Sequence, residues 1–437
     1  MNESDDSRTK PLSTQPYKGA RDFYPQEKRL QKAVFGTIRQ VVESYGYEEY
    51  DAPILEPLEL FLAKTGEEIV SQQTYTFTDR GDRQVVIRPE MTPSVSRMVA
   101  AKRQELVYPL RWYSLPVNWR YERPQRGRLR EFWQLNVDLF GVAGLSAEQE
   151  IIEVADAILQ KFGASRSSYL IKLNSRQLVE SVLNSQFGLN AQQTHDVIKL
   201  IDRLHKISQA DFLAHAGQIM SSEQEAADLH KLLTCHQIND LPTRISESEA
   251  AGRLKTLLAT LQAAGIANVE FDMSVMRGLD YYTDIVFEVF DADPQNNRSM
   301  FGGGRYDGLV GLFGVEPIPT IGFGMGDVTL QNFLESHQLL PQPQPEVDLW
   351  LIPLDGAKDG AQKLVRQLRQ ADIRVSVDIS ERKVDKQTKA AHKKGHRWVL
   401  FVGPQELVQA KFTLKDLESG DEEKLTAQEL ISRFRQV

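Results

Sequence analysis

The sequence predicts an α+β protein: an antiparallel sheet with flanking helices, a helical insertion within it, and a small α/β domain at the C-terminal end. Three observations predict this. Residues 117–139 alternate with a period of two on either side of a basic loop, as a strand pair does. From about 185 to 262 that alternation gives way to helical spacing, in runs such as Thr194-His-Asp-Val-Ile-Lys-Leu-Ile-Asp-Arg-Leu. After Leu340-Pro-Gln-Pro-Gln-Pro, strand-like and helix-like segments alternate to the end.

Residues 1–16 are polar, with acidic residues near the start and no apolar stretch of the signal-peptide kind, so they predict a disordered tail. A helix over 26–45 follows from Leu30, Val34, Ile38, Val41 and Val42 at helical spacing. Strands are expected at Tyr50-Asp-Ala-Pro-Ile-Leu, Thr74-Tyr-Thr-Phe, Gln84-Val-Val-Ile-Arg and Leu110-Arg-Trp-Tyr, and a helix over 147–162. Strands resume at Val269-Glu-Phe-Asp and over 281–290, and Phe301-Gly-Gly-Gly-Arg-Tyr-Asp-Gly is expected as a turn. These elements divide the chain into a sheet domain over 17–184 and 263–338, a helical insertion over 185–262, a stiff linker over 339–345 and a C-terminal domain over 346–437. In that last domain strands are expected at 347–352, 373–377, 398–402 and 411–415, with helices at 357–371, 384–394 and the end.

The 437 residues carry a formal charge of −8, which argues against a nucleic-acid coat over the whole surface but leaves room for a local basic footprint. The single cysteine, Cys235, excludes an intrachain disulfide and a cysteine metal cluster, and fits a cytoplasmic protein. No apolar run approaches the roughly 20 residues that span a bilayer, so no membrane partner is expected.

The most informative stretch runs from Val117 to Leu139. Asn118, Arg120 and Glu122 share one strand face, as do Phe132, Gln134, Asn136 and Asp138 after the loop, while Trp133, Leu135, Val137 and Leu139 share the opposite one. A polar, charged face with one aromatic ring is a poor core and a good floor for a site. Taken alone, Arg120 and Glu122 also fit a solvated, salt-bridged face. Arg123, Arg126, Arg128 and Arg130 crowd the loop, and guanidiniums so close repel unless an anion sits among them, such as a nucleotide triphosphate or an RNA end. Arg88, Glu90 and Thr92 share a face at a strand end, either as a polar cap or as a carboxylate and hydroxyl that hold an ammonium group. Arg277-Gly-Leu-Asp-Tyr-Tyr-Thr reads as a turn into a strand, where alternation puts one of Tyr281 and Tyr282 away from the core. The glycines 302–304 are a flexible turn or a backbone brought close to a ligand. Arg382, Lys386, Lys389 and Lys393 form one stripe over 382–394, extended by Lys394 and Arg397, which is a solvated face or an RNA contact.

Together these pieces resemble the histidyl-tRNA synthetases, a family of class II aminoacyl-tRNA synthetases. Tyr45-Gly-Tyr through Pro53-Ile-Leu-Glu is similar to the family's dimer-forming first motif, and 120–134 to its second motif. Residues 277–283 and 302–309 are similar to its two histidine-specific signatures. The resemblance implies a class II antiparallel-sheet catalytic domain, a C-terminal anticodon-binding domain and a homodimer. It implies histidine, ATP with Mg2+, and tRNA(His) as what the protein binds, and it names no protein ligand for a metal. It implies that Glu90, Thr92 and Gln134 hold the amino group of histidine, that Asp138 and Tyr282, with Tyr281 beside them, take the imidazole, and that Arg277 faces the α-phosphate and carboxylate. Arg120 would grip the α-phosphate, Glu122 the adenine amine, Phe132 the adenine face and Arg128 the distal phosphates, with Arg123, Gln125 and Arg126 toward the tRNA acceptor end. The stripe of Arg382, Lys386, Lys389 and Lys393 would lie in the anticodon domain.

The chain departs from the family pattern at Gly322-Phe-Gly-Met-Gly-Asp-Val-Thr-Leu, where Thr329 stands in place of an arginine that covers adenine. Losing one cation–π contact costs roughly 0.5–2 kcal/mol, and Arg305 is a candidate to fill the gap. Thr329 also motivates an alternative, a catalytically silent paralogue that senses histidine or tRNA. Both intact histidine signatures and the C-terminal domain favour the enzyme.

Overall fold

The structure is a computed structural model that describes residues 12–62, 73–296, 299–343 and 345–435, without the side chains of His205 and Gln295. Most of the expected tail, residues 1–11, and residue 344 of the expected linker lie outside the described residues. The chain divides into two compact units: residues up to 24 with 31–341, and residues 25–30 with 342–437.

The first unit is built on a sheet of nine strands among the described residues. They are β1 (Glu48–Glu49), β5 (Leu110–Ser114), β6 (Val117–Trp119), β7 (Glu131–Phe140), β8 (Tyr169–Ser175), β9 (Val269–Phe271), β10 (Ile285–Asp291), β11 (Ser299–Arg305) and β12 (Thr320–Gly326). Their order is β1-β5-β7-β12-β11-β10-β8-β9, with β6 paired to β7. The pairs from β5 to β8 are antiparallel, and only the edge pairs β1·β5 and β8·β9 are parallel. A smaller sheet pairs β2 (Leu55–Pro57), β4 (Gln84–Ile87) and β3 (Tyr75–Thr78) in that order.

Leu135, Val137 and Leu139 of β7 are fully buried, and the helices Ser146–Lys161 and Asp327–Ser336 pack on this strand. Each such side chain stabilises the fold by about 1.5–3 kcal/mol. The helix Pro25–Ser44 buries Val34, Ile38, Val41 and Val42 of the stripe that its sequence spacing predicts, adds Phe35, and leaves Leu30 half-buried. Between 185 and 262 the described residues contain helices and no strand, the longest being Glu249–Ala263.

Four expectations are corrected. Tyr50-Asp-Ala-Pro-Ile-Leu is not one strand: pairing stops at Glu49 and restarts at Leu55, because Pro53 has no N–H to give a ladder. Tyr281 and Tyr282 precede β10 and both are buried, so neither turns away from the core. Gly302, Gly303 and Gly304 form the centre of a strand, not a turn. Strands β8 and β12 were not expected; β12 reads Thr-Ile-Gly-Phe-Gly-Met-Gly, which alternates at Ile321, Phe323 and Met325 but carries the glycines that ordinarily weaken a strand.

The second unit carries β13 (Leu349–Pro353), β14 (Val375–Val377), β15 (Trp398–Val402), β16 (Phe412–Asp416) and β17 (Glu422–Leu425) in the order β14-β13-β15-β16-β17. The first three are parallel and the last two antiparallel additions. Leu349, Leu351, Val365, Leu368, Leu400, Leu414 and Leu430 form its core. Lys386, Lys389 and Lys393 lie exposed along the helix Val384–Lys393. Arg382 precedes that helix and is held by Ser380 Oγ at 2.9 Å, so it is not on the helical stripe. Arg397, exposed, is paired with Asp416, and Lys394, also exposed, sits 4.5 Å over the Trp350 ring.

Candidate active site

The open floor of the site is a trench of glycines. Across the sheet, Asp138 pairs with Gly322, Gly322 with Gly304, and Gly304 with Val286; the next row is Asn136, Gly324, Gly302 and Glu288. Directly paired residues point to the same face. One face of four adjacent strands therefore carries Asp138 and Asn136 at one side, Val286 and Glu288 at the other, and bare backbone in its middle.

Functional side chains fold over that bare backbone. A Cβ built on Gly302 would lie 3.0 Å from Arg277 Nη1, and one on Gly304 2.9 Å from Tyr282 Cδ1. On Gly324 it would lie 2.5 Å from Gln134 Nε2, and on Gly322 it would collide with Asp138 Oδ1. Arg277, Tyr282, Asp138 and Gln134 thus converge on one trench from separate segments of the chain.

One end of the trench is a chain of phenols and carboxylates. Tyr281 donates to Glu90 Oε2 at 3.2 Å, and its ring lies 4.8 Å from that of Tyr282 and 5.6 Å from that of Tyr306. Tyr306 donates to Asp138 Oδ1 at 2.5 Å and Tyr50 to Asp138 Oδ2 at 3.4 Å. Burial pushes Asp138 up to about 7, while hydrogen bonds from Tyr306 and Tyr50 pull the other way. Burial, with the nearby carboxylates, raises Tyr50, Tyr281 and Tyr306 well above the ordinary phenol value, so all three remain donors. Thr92 opens the helix Thr92–Ala101, next to the Tyr281 hydroxyl.

Arg277 donates to Glu288 Oε1 at 3.0 Å. Burial opposes its charge, but Tyr282, Glu288 and Tyr281 outweigh that and raise its pKa. The helix Ala191–Asp202 sits against the same turn: a Cβ on Gly278 would lie 2.8 Å from Asp202 Oδ2.

The other end lies along β6, β7 and the loop between them. Arg120 donates to Pro89 O at 2.9 Å, beside Glu90, and its guanidinium carbon is 5.4 Å from the Phe132 ring centroid. Asn118, fully buried, donates to Gln134 Oε1 at 3.3 Å. The loop closes on paired backbone bonds between Gln125 and Arg128, with Gly127 at φ +79°, a conformation that favours glycine. Arg123, Gln125 and Arg126 are exposed at its tip. Arg128 pairs with Glu122 at 3.0 Å.

Several arginines have other partners than the sequence suggests. Arg130 does not join a repelling cluster: it lies 4.0 Å over the Tyr121 ring and donates to Tyr17 Oη at 3.0 Å. Arg88 lies just past the end of β4. It is buried as a strut, bonded to the carbonyls of Ala52 and Val117. Arg305 does not replace the absent arginine at 329, because it is buried against Glu148 at 2.5 and 2.8 Å. Thr329 itself donates to the carbonyls of Met300 and Gly326. Sequence reasoning misses Tyr50, Glu288 and Tyr306. Tyr306 lies within the 302–309 signature, so that motif is the one signal that points to it.

The site offers arginines rather than a carboxylate cage. Among the described residues, the convergence of three possible metal ligands is His236, Glu270 and Asp272, at the edge strand β9, where Lys172 already bonds Asp272 at 2.6 Å. No helix of the described residues is long and apolar enough to cross a membrane.

The profile described as histidyl-tRNA synthetase matches residues 19–328, and that described as anticodon binding domain matches 348–437. A histidine–tRNA ligase of Leptospira biflexa is 44% identical over 430 residues, covering 97% of this chain and 98% of its own length. One from Thermoplasma volcanium is 37% identical, covering 95% and 96%. A crystal structure of histidyl-tRNA synthetase from Nostoc sp. PCC 7120 superposes with a TM-score of 0.80 at 24% identity, over 98% of this chain and all of that one, and so shares the fold. With a family profile over most of its length and relatives this similar from end to end, the chain belongs to the histidyl-tRNA synthetase family.

Proposed function

We propose that this chain activates histidine with ATP and transfers it to tRNA(His), using the trench between Asp138 and Arg277 as the reaction centre. The observation that carries the reading is the convergence of Arg277, Tyr282, Asp138 and Gln134 over four glycines. A buried carboxylate bracketed by phenols suits an imidazole, whose two nitrogens each need a partner. Apolar amino acids would leave those groups unpaired and be rejected. Glu90 and Thr92, with Gln134, take the ammonium group of histidine.

The histidine carboxylate attacks the α-phosphorus of ATP; a carboxylate–phosphorus bond forms, and the bond to the leaving pyrophosphate breaks. No base is needed, since the carboxylate is already ionised. Arg277 and Arg120 offset the charge of two approaching anions and hold them in line. Phe132 stacks on adenine, Glu122 accepts from its amine, and Arg128 leaves Glu122 for the distal phosphates. Magnesium enters as part of the ATP substrate, its counter-ion on the phosphates. A terminal ribose hydroxyl of the tRNA then attacks the acyl carbon and AMP leaves.

Arg123, Gln125 and Arg126, at an exposed loop tip, meet the acceptor end. In the C-terminal domain the exposed Lys386, Lys389 and Lys393 along one helix meet the anticodon end of the tRNA. The protein works as a homodimer, a reading supported by the exposed Ile54 and Leu55 within the first motif. The silent-paralogue alternative is not favoured, since the relatives named histidine–tRNA ligase match through the C-terminal domain. The test is direct: purified protein should support histidine-dependent ATP–pyrophosphate exchange and charge tRNA(His) with labelled histidine. Histidine binding without exchange would favour the sensor instead.

A further inference from the structure

We propose that Tyr50 is a positioning residue for amino-acid recognition: its hydroxyl fixes the second oxygen of Asp138, so that this carboxylate meets the imidazole in one orientation. The proposal rests on the reading of Asp138 as the imidazole partner. A carboxylate held at one oxygen can still swing about its last torsion, which is broad and nearly two-fold. Here both oxygens are engaged, Oδ1 by Tyr306 at 2.5 Å and Oδ2 by Tyr50 at 3.4 Å. A carboxylate oxygen that accepts one hydrogen bond has a second lone pair for an imidazole N–H.

The residues paired directly with Asp138 on the neighbouring strands offer no hydroxyl for this oxygen, and the buried Ser114 of β5 meets the Tyr50 hydroxyl itself. Asp138 is 3% exposed, and its partner on β12 is Gly322, which has no side chain. Its partner on β5, Trp112, instead braces Tyr50: the two rings lie 5.7 Å apart at 35°. The backbone N–H of Tyr50 is tied to Tyr113 O at 2.9 Å. Thus a residue just beyond β1, 88 positions before Asp138, is held by its ring and its backbone while its hydroxyl points at the site. Burial keeps that hydroxyl protonated and able to donate.

The test compares Tyr50→Phe, Asp138→Asn and the double variant in histidine-dependent ATP–pyrophosphate exchange. Losing one hydrogen bond to a charged group should raise the histidine KM of Tyr50→Phe about tenfold, with kcat and the ATP KM within about twofold. Asp138→Asn should raise the histidine KM at least as much, and the double variant should be no worse than Asp138→Asn alone, because Tyr50 acts through Asp138. A normal histidine KM in Tyr50→Phe beside a raised one in Asp138→Asn would overturn the proposal while leaving the site reading intact. So would independent, additive losses, or losses shared equally with ATP. A normal histidine KM in Asp138→Asn would remove the site reading and this proposal with it.

Discussion

Arg277 and Glu288 form an ion pair at 3.0 Å above Gly302, and the absence of a side chain on that glycine leaves the guanidinium room to lie on the strand. The pair arises from two elements, the turn before β10 and β10 itself, so the arginine is oriented before any substrate arrives. Preorganised charge of this kind needs no rearrangement when phosphate charge develops. Arg277→Ala should lower kcat for histidine-dependent exchange on the order of 10²–10³-fold. Steady-state exchange kinetics will check this, and a variant within about twofold of the parent would remove Arg277 from the chemistry.

The glycine trench makes a second prediction. A methyl at 322 would strike Asp138 Oδ1 and the carbonyl of Val137. Displacing a binding group by about 1 Å costs on the order of a hundredfold. Gly322→Ala should therefore lower kcat/KM for histidine by about that factor while moving the ATP KM little. The same kinetics with each substrate varied in turn will show it.

Asp138 sets a pH dependence whose sign differs between two readouts. Its value of about 7 is raised from the ordinary carboxylate range by burial. The folded protein therefore holds this proton more tightly than the unfolded chain does. The stability that the proton contributes is complete below about pH 4 and is lost as pH rises through 7. The ionised form, which under the proposed function accepts an imidazole N–H, gains population over that same upper range. Asp138→Asn should flatten both curves between about pH 6 and 8. Urea unfolding and histidine KM, each measured across that range, give the comparison.

Arg305 separates structure from chemistry. It and Glu148 are buried together, so removing one partner strands a charge. Arg305→Met should lower the unfolding free energy by about 3–5 kcal/mol. Its ATP KM should remain near that of the parent at a temperature where the variant is folded. Urea unfolding measures the first, and exchange kinetics the second.

How much of the fold and the site is legible in the sequence depends on the kind of signal. The long alternating run of β7 reveals its own parity, so the sequence alone places Gln134, Asn136 and Asp138 on one face. Amphipathic helices such as Pro25–Ser44 announce themselves in the same way. The trench is hard to read at that level, because strands are poor in glycine: the run in β11 reads as a turn, and in β12 glycines space out Ile321, Phe323 and Met325. So is partner choice. Nothing in the local sequence says that Arg130 stacks on Tyr121 or that Arg305 bonds Glu148, 157 positions away. Asp138 meets Tyr306 across 168 residues, a contact that only the sheet order creates.

The most direct test is ATP–pyrophosphate exchange with each of the twenty amino acids supplied in turn. A trench ending in a buried carboxylate between phenols should support exchange with histidine and leave the other nineteen at background. Equal exchange with several amino acids, or none with histidine, would contradict the account.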